Sequence, residues 1–136
     1  MSVNSPYSQY VENQFKTASP GKLLLMAYDA AIRFAKTAAE KMKEGRLDQQ
    51  SENIRKVQNI VLELMSSLDM NVDRQLAENL YSLYSYIFDR LTHANIKDDQ
   101  RALEEVIQIL SELRQTWAEA ELLARSGQPK LEAKAA

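Results

Sequence analysis

Apolar residues in this chain recur three and four positions apart through four long segments, the spacing that gathers them on one face of an α-helix. The first segment, Pro20 to about Glu44, carries Leu23, Leu24, Leu25, Met26, Tyr28, Ala31, Ile32, Phe34, Ala35, Ala38, Ala39 and Met42. A stripe this broad predicts a central helix rather than a peripheral one. Ser19-Pro20 reads as an N-cap followed by a proline at the first helical position. The hydroxyl can accept from an otherwise unpaired amide, and proline has no amide proton to leave unpaired. Gly45 can supply the left-handed residue that ends the helix.

A second helix, capped by Asp48, is predicted to about Leu68, with a seam of Ile54, Val57, Val61, Leu64 and Leu68 at heptad spacing. The stretch 69–73 is rich in Asp and Asn, which compete for backbone hydrogen bonds and favour turns. A third helix follows to about Ala94 on the seam Leu76, Leu80, Leu83, Ile87, Leu91 and Ala94. Asn95-Ile96-Lys97 reads as a turn and Asp98 as the cap of a fourth helix carrying Leu103, Val106, Ile107, Leu110, Leu113, Trp117 and Ala120. Ser126-Gly127-Gln128-Pro129 stops it. Connections this short make successive long helices antiparallel neighbours, so the expected fold is all-α, an antiparallel up-down-up-down four-helix bundle. No segment alternates with period two over strand length between turn signals. The expected organisation is an N-terminal arm over 1–18, the bundle over 19–125 and a loose tail over 126–136.

The arm has its own pattern. Tyr7, Tyr10, Val11 and Phe15 fall at i, i+3, i+4 and i+8, one face of a short amphipathic helix. An isolated helix of about ten residues is marginal in water, so the arm is expected to dock on something. The surface it covers is a candidate working surface.

Composition narrows the function classes. A chain of 136 residues makes one domain with a core that needs no staples, and 45% hydrophobic with 26% charged residues is ordinary for a globular protein. A formal net charge of −2 with interleaved signs offers no field for a phosphate backbone, so nucleic acid is not an expected partner. The absence of cysteine removes disulfide and thiolate chemistry and suits a reducing cytoplasm. The first twenty residues lack the blocks of a signal peptide, and no run reaches the roughly 18 apolar residues of a membrane span. A cytoplasmic location without membrane insertion is expected.

Catalytic inventories are short. With His93 the single histidine, neither a Cys-His pair nor the two Glu-x-x-His motifs of a di-iron bundle can be assembled. His93 reads as a surface residue or a cation near a helix end. Glu104 and Glu105 read as a solvated face beside Leu103, Val106 and Ile107, and the glycines at 21, 45 and 127 are too scattered for a phosphate loop. No catalytic, cofactor or metal site is expected, which leaves recognition by surface shape. Methionines such as Met26, Met65 and Met70 fit either an adaptable groove or core filling. The cluster Tyr81, Leu83, Tyr84, Tyr86, Ile87 and Phe88 cannot all point into one seam, because successive helical residues turn by about 100°. Some of these rings must lie on a flank.

Thr17-Ala18-Ser19-Pro20 followed by Leu24-Leu25-Met26-Ala27-Tyr28-Asp29-Ala30-Ala31-Ile32 resembles the start of the flagellar export chaperone FliS family. Ala77-Glu78-Asn79-Leu80, Leu83-Tyr84, Arg90-Leu91, Ala94-Asn95 and Leu103-Glu104-Glu105-Val106 through Leu113-Arg114 to Trp117 resemble that family in order and spacing. The resemblance implies a cytoplasmic chaperone that binds the disordered C-terminal segment of flagellin, prevents premature polymerisation and helps deliver it to the type III export gate. It also implies that the arm occupies part of the client site and is displaced. Matched by motif, Tyr7 and Tyr10 correspond to the arm tyrosines, joined on their face by Val11 and Phe15. Ile54, Val57, Val61, Leu80 and Tyr84 sit where helices two and three would present apolar side chains. A co-chaperone on a free face stays open. Three departures stand out: Asn71-Val72-Asp73-Arg74 where a Gly pair is common, Ala30 in place of the usual Gly after Tyr-Asp, and Gly21 where a longer side chain is common. Ala30 is expected to thicken a helix contact by a methyl, and Gly21 to weaken the first turn. A competing reading is a structural bundle that self-associates through its apolar flanks and has no flagellin client.

Overall fold

A computed structural model describes residues 19–126; the arm at 1–18, with Tyr7, Tyr10, Val11 and Phe15, and the tail from 127 lie outside the described residues. Four helices follow one another, α1 (Pro20–Lys43), α2 (Leu47–Ser66), α3 (Arg74–Lys97) and α4 (Gln100–Arg125). Each packs on its neighbours in sequence, and α4 returns to pack on α1, which closes the square of an up-down-up-down bundle. No strand occurs among the described residues.

Local chemistry sets most of the boundaries. The Ser19 hydroxyl accepts from the Lys22 amide, with Pro20 in the first turn, so α1 starts as the sequence predicts. At its other end Glu44 is the C-cap and Gly45 takes a φ of 73°, a left-handed conformation that costs glycine nothing sterically. Asp73 accepts from the Leu76 amide and opens α3.

Four predicted boundaries are corrected. Helix α2 begins at Leu47 behind Arg46, whose side chain makes no capping bond; Asp48 lies inside the first turn, where the helix dipole favours a carboxylate. It ends at Ser66, short of Leu68. Asn95, Ile96 and Lys97 complete α3, and Asp98 is its left-handed C-cap at φ 50°. The cap of α4 is Asp99, whose Oδ1 accepts from the Arg101 and Ala102 amides. Two adjacent aspartates both suit a helix junction, and Asp tolerates the left-handed region that lets one residue close a helix while the next opens another.

The core takes a narrow stripe from each helix. Tyr28, Ala31, Ala35 and Ala38 of α1 meet Ile54, Val57, Val61 and Leu64 of α2, Leu80, Tyr84, Ile87 and Leu91 of α3, and Leu103, Val106 and Leu110 of α4. Alanine on α1 lets its two neighbours, α2 and α4, approach closely. The expected split of the aromatic cluster appears on α3: Tyr84 and Ile87 are buried, Leu83 and Phe88 pack at the core margin, and Tyr81 and Tyr86 are exposed.

Candidate functional site

The end of the bundle where α1 and α3 begin and α2 and α4 finish is unusually apolar at its surface. Leu24 is the common wall of three openings there. The largest, about 560 Å³, is a trough between α1 and α2 lined by Leu23, Met26, Ala27 and Ala30 on one side and Ile60 and Leu64 on the other. A second, about 240 Å³, lies under the α2–α3 turn among Leu68, Val72, Leu76, Leu80, Tyr84 and Trp117. The third, about 300 Å³, separates α1 from α4 beside Pro20, Gly21, Trp117 and Ala120. Val72 and Leu76 of the second opening are exposed, Val72 to 82%. Apolar concavities with an apolar rim are what a partner's side chains fill.

The trough follows from spacing. Leu23, Ala27 and Ala30 lie at i, i+4 and i+7 on α1, and Ile60, Leu64 and Ser67 repeat that spacing on α2. Ala27 and Ala30 fill little space between larger walls, so a furrow remains where two long side chains would have closed it. Ala30 lines this furrow, so its methyl faces an opening as well as the α1–α2 contact for which it was expected.

Beneath the openings sits a polar node. The Tyr28 and Tyr84 hydroxyls share a hydrogen bond of 2.6 Å across the bundle diagonal, and Trp117 Nε1 donates to the Tyr28 hydroxyl at 3.2 Å. Burial, then the Tyr84 hydroxyl, pushes the Tyr28 phenol far above its ordinary range, and burial raises Tyr84 too. Both stay protonated at neutral pH. The node satisfies three polar groups that would otherwise be buried without partners, and it ties α1, α3 and α4 together.

Two surface side-chain pairs add to this hold of α1 on α4. Arg114 donates to both Asp29 oxygens, at 2.8 and 3.3 Å, a two-pronged pair at the surface. The Ser19 hydroxyl donates to Glu121 Oε1 at 3.0 Å. A Cβ on Gly21 would run into that same carboxylate, so glycine here admits the Glu121 side chain to the cap. Its expected weakening of the first turn is accompanied by this contact.

The predicted client residues divide. Ile54, Val57 and Val61 are core residues of α2 with at most 1% exposure, so in this conformation they hold the bundle together and offer a partner no surface. Regular 3-4 spacing marks the face turned to sister helices, which is why it was read as a seam first. Leu80 and Tyr84 are also buried, yet they form the floor of the opening under the α2–α3 turn. The trough on α1 was missed as a site, although the breadth of the α1 apolar stripe was its signal.

Polar details were less legible. Glu105 accepts from the Tyr86 hydroxyl and from Arg90 Nε, and these bonds, the tyrosine's first, lower its pKa. Glu104 is solvent-exposed as expected. His93 Nε2 lies 3.0 Å from Asp99 Oδ2, which joins it to the α4 cap. The Ala102 amide and then His93 hold Asp99 below the usual carboxylate range. No cluster of three or more potential metal ligands occurs among the described residues, and no described helix is long and apolar enough to cross a membrane.

Four antiparallel helices, each packed on the next and the last on the first, put the chain in the class of four-helix bundles. Residues 3–124 match the family model described as flagellar protein FliS. The chain is 35% identical over 120 residues to the flagellar secretion chaperone FliS of Bacillus subtilis, covering 88% of this chain and 89% of that protein. It is 32% identical over 107 residues to the protein of the same name from Vibrio cholerae, covering 79% of each chain, and 33% identical over 108 residues to that of Salmonella typhimurium, covering 79% and 80%. The chain belongs to the FliS family of flagellar secretion chaperones.

Proposed function

We propose that this protein acts in the cytoplasm as an export chaperone, holding the disordered C-terminal segment of flagellin, preventing its premature polymerisation and helping to deliver it to the flagellar type III export gate. The observation that carries the reading is the cluster of three apolar openings around Leu24, one of them edged by exposed Val72 and Leu76. A segment that folds on binding sacrifices ordering entropy and recovers it by covering a broad apolar surface. Openings on the α1–α2, α2–α3 and α1–α4 sides suit a client that wraps the bundle end.

In this reading the arm, through Tyr7, Tyr10, Val11 and Phe15, covers part of the same surface until the client displaces it. Ser19 and Pro20 open the described residues, and Pro20 borders two of the three openings. Leu80 and Tyr84 act from the floor of the α2–α3 opening, whereas Ile54, Val57 and Val61 support it from within. The apolar flanks could instead join copies of this chain, with exposed Leu122 on the outer side of α4 as the feature favouring that reading.

Titration of the full chain with a flagellin C-terminal segment, with mass followed by light scattering, tests the proposal. The expected result is a one-to-one complex. No interaction at tens of micromolar in low salt sinks it, and a constant dimer that ignores the segment favours self-association. Deleting residues 1–16 is expected to strengthen or leave unchanged the affinity; loss of binding would make the arm a contact and not a cover.

A further inference from the structure

The first half of α4 is held by apolar burial and the second half is not. Ala102, Leu103, Val106 and Leu110 are its buried residues, and none of the described residues from Ser111 to Arg125 joins them. Leu113 and Trp117 pack at the core margin. Along this stretch α4 meets α1 through a row of hydrogen-bonding side chains at i, i+3 and i+7: Arg114, Trp117 and Glu121. Their partners run antiparallel on α1: the Asp29 carboxylate, the Tyr28 hydroxyl and the Ser19 hydroxyl. The heptad register of Leu103, Val106 and Leu110 thus continues with polar contacts in place of apolar ones. The outermost contact draws on both helices. α1 has no acidic residue in its first turn, so Glu121 brings the carboxylate that its positive end favours, and Gly21 leaves the room for it.

We propose that residues 111–125 of α4 form a lid that opens and closes as a unit while the rest of the bundle stays folded, fastened by the contacts of Arg114, Trp117 and Glu121 on α1. A segment opens on its own where few apolar groups are buried, because those groups set the cost of exposing it. Surface ion pairs contribute little each, so the fastening is reversible. The neighbours are held more deeply: α3, which begins at the same end, is buried from Ala77 onward, and α2 is buried up to Leu64. The stretch of α1 before Tyr28 also has no buried residue, yet its other side faces Ile60 and Leu64 of α2. Under the lid lies the opening beside Pro20, Leu24 and Ala120. Trp117 and Leu24 wall it off from the opening under the α2–α3 turn. When the lid lifts, Trp117 leaves that wall and the two openings become one apolar surface. The closed lid therefore limits how much contiguous apolar surface this end shows to solvent.

The test is native-state hydrogen exchange of the full chain in low urea, with no client present. In the wild type, amides of residues 113–124 are expected to exchange faster than those of the α2 and α3 core and with little dependence on urea, the mark of a local opening. The double variant Arg114→Ala with Glu121→Ala is expected to speed exchange of that segment about tenfold and to leave the α2 and α3 core amides unchanged. Alanine is the better helix former, so the gain cannot come from a weaker helix. Gly21→Ala, which favours α1 as a helix but displaces the Glu121 carboxylate, is expected to act in the same direction by about threefold. Arg90→Ala, which breaks a surface pair between α3 and the first half of α4, serves as control and is expected to change exchange at 113–124 within about twofold. Acrylamide quenching of Trp117, the single tryptophan, is expected to rise with the exchange rate. Exchange of 113–124 at the rate and urea dependence of the core overturns the proposal. A double variant that speeds every helix equally overturns it too, because the contacts would then merely support the whole bundle. Faster exchange at residues 20–27 with 113–124 unchanged also contradicts it and makes α1 the loose element. None of these outcomes bears on the chaperone reading, which a client titration tests separately.

Discussion

The two ends of the bundle are built on opposite principles. Where α2 and α4 begin, polar side chains close the fold: buried Gln50 donates to Asn95 Oδ1 at 3.1 Å and to Asp98 Oδ1 at 2.9 Å, and the Ser51 hydroxyl donates to Asn95. Gln100 reaches the Ala39 carbonyl of α1, and His93 meets the Asp99 cap. Directional bonds of this kind favour one geometry, and they hold Gln50 in place although its Oε1 is buried without a partner. Where α1 and α3 begin, the surface is apolar and open, and Ser19, Glu121 and the Asp73 cap are among the few polar fastenings. Apolar contact is not directional, so that end can accept different side chains without a large penalty. A bundle fastened at one end and open at the other is suited to receiving a segment without coming apart.

The sharpest way to break this comparison is a charge in the trough. Leu23→Glu is expected to weaken client binding by about 30-fold or more, a hot-spot loss of roughly 2 kcal/mol or above by titration calorimetry. Unchanged affinity would mean that the open end is not the client site. At the fastened end, Gln50→Ala strips a donor from Asn95 and Asp98 and is expected to destabilise the fold by about 1–3 kcal/mol in urea unfolding, with client affinity unchanged. A parallel loss of affinity would blur the distinction between the two ends.

The node between the ends gives an intermediate effect. Tyr84→Phe leaves the Tyr28 hydroxyl its bond from Trp117, so a cost of about 1 kcal/mol is expected. Because the Tyr28 and Tyr84 phenols are raised above their ordinary value of 10.0, the native state retains protons that the unfolded chain releases. Stability from the node is therefore complete below pH 10 and falls as the pH rises beyond it, which alkaline unfolding of wild type against the Tyr28→Phe variant measures. At the acid side the sign reverses. The depressed Asp99 carboxyl contributes stability above its ordinary value of 3.8 and loses it as the pH falls below, so Asp99→Asn is expected to flatten that limb. Smallest of all, Ile96→Ser, 71% exposed at the fastened end, is expected to move stability by no more than about 0.5 kcal/mol.

The bundle is plain in the sequence, because heptad spacing and the Ser19 cap are local signals. The α3–α4 junction was misread by one residue, since Asp98 and Asp99 have the same chemistry and only backbone conformation separates a left-handed C-cap from an N-cap. Ile96 looked like part of a turn for a related reason: it is helical but points away from the core, so its apolar side chain gives no seam signal. The site was harder. Periodicity marks Ile54, Val57 and Val61 as a face buried against sister helices, and the core uses them so; their place among client residues comes from the family resemblance alone. An opening for a partner arises where two helices leave space between them, at Ala27, Ala30 and Ile60, and that depends on side chains from both helices at once.

Hydrogen exchange of the full chain with and without a flagellin C-terminal segment tests the division of labour directly. The account predicts that bound client slows exchange over residues 20–34, 60–80 and 113–124, while the amides around Gln50, Asn95 and Asp98 are unchanged. Protection confined to the Gln50–Asp98 end, with the Leu24 openings unaffected, would contradict it.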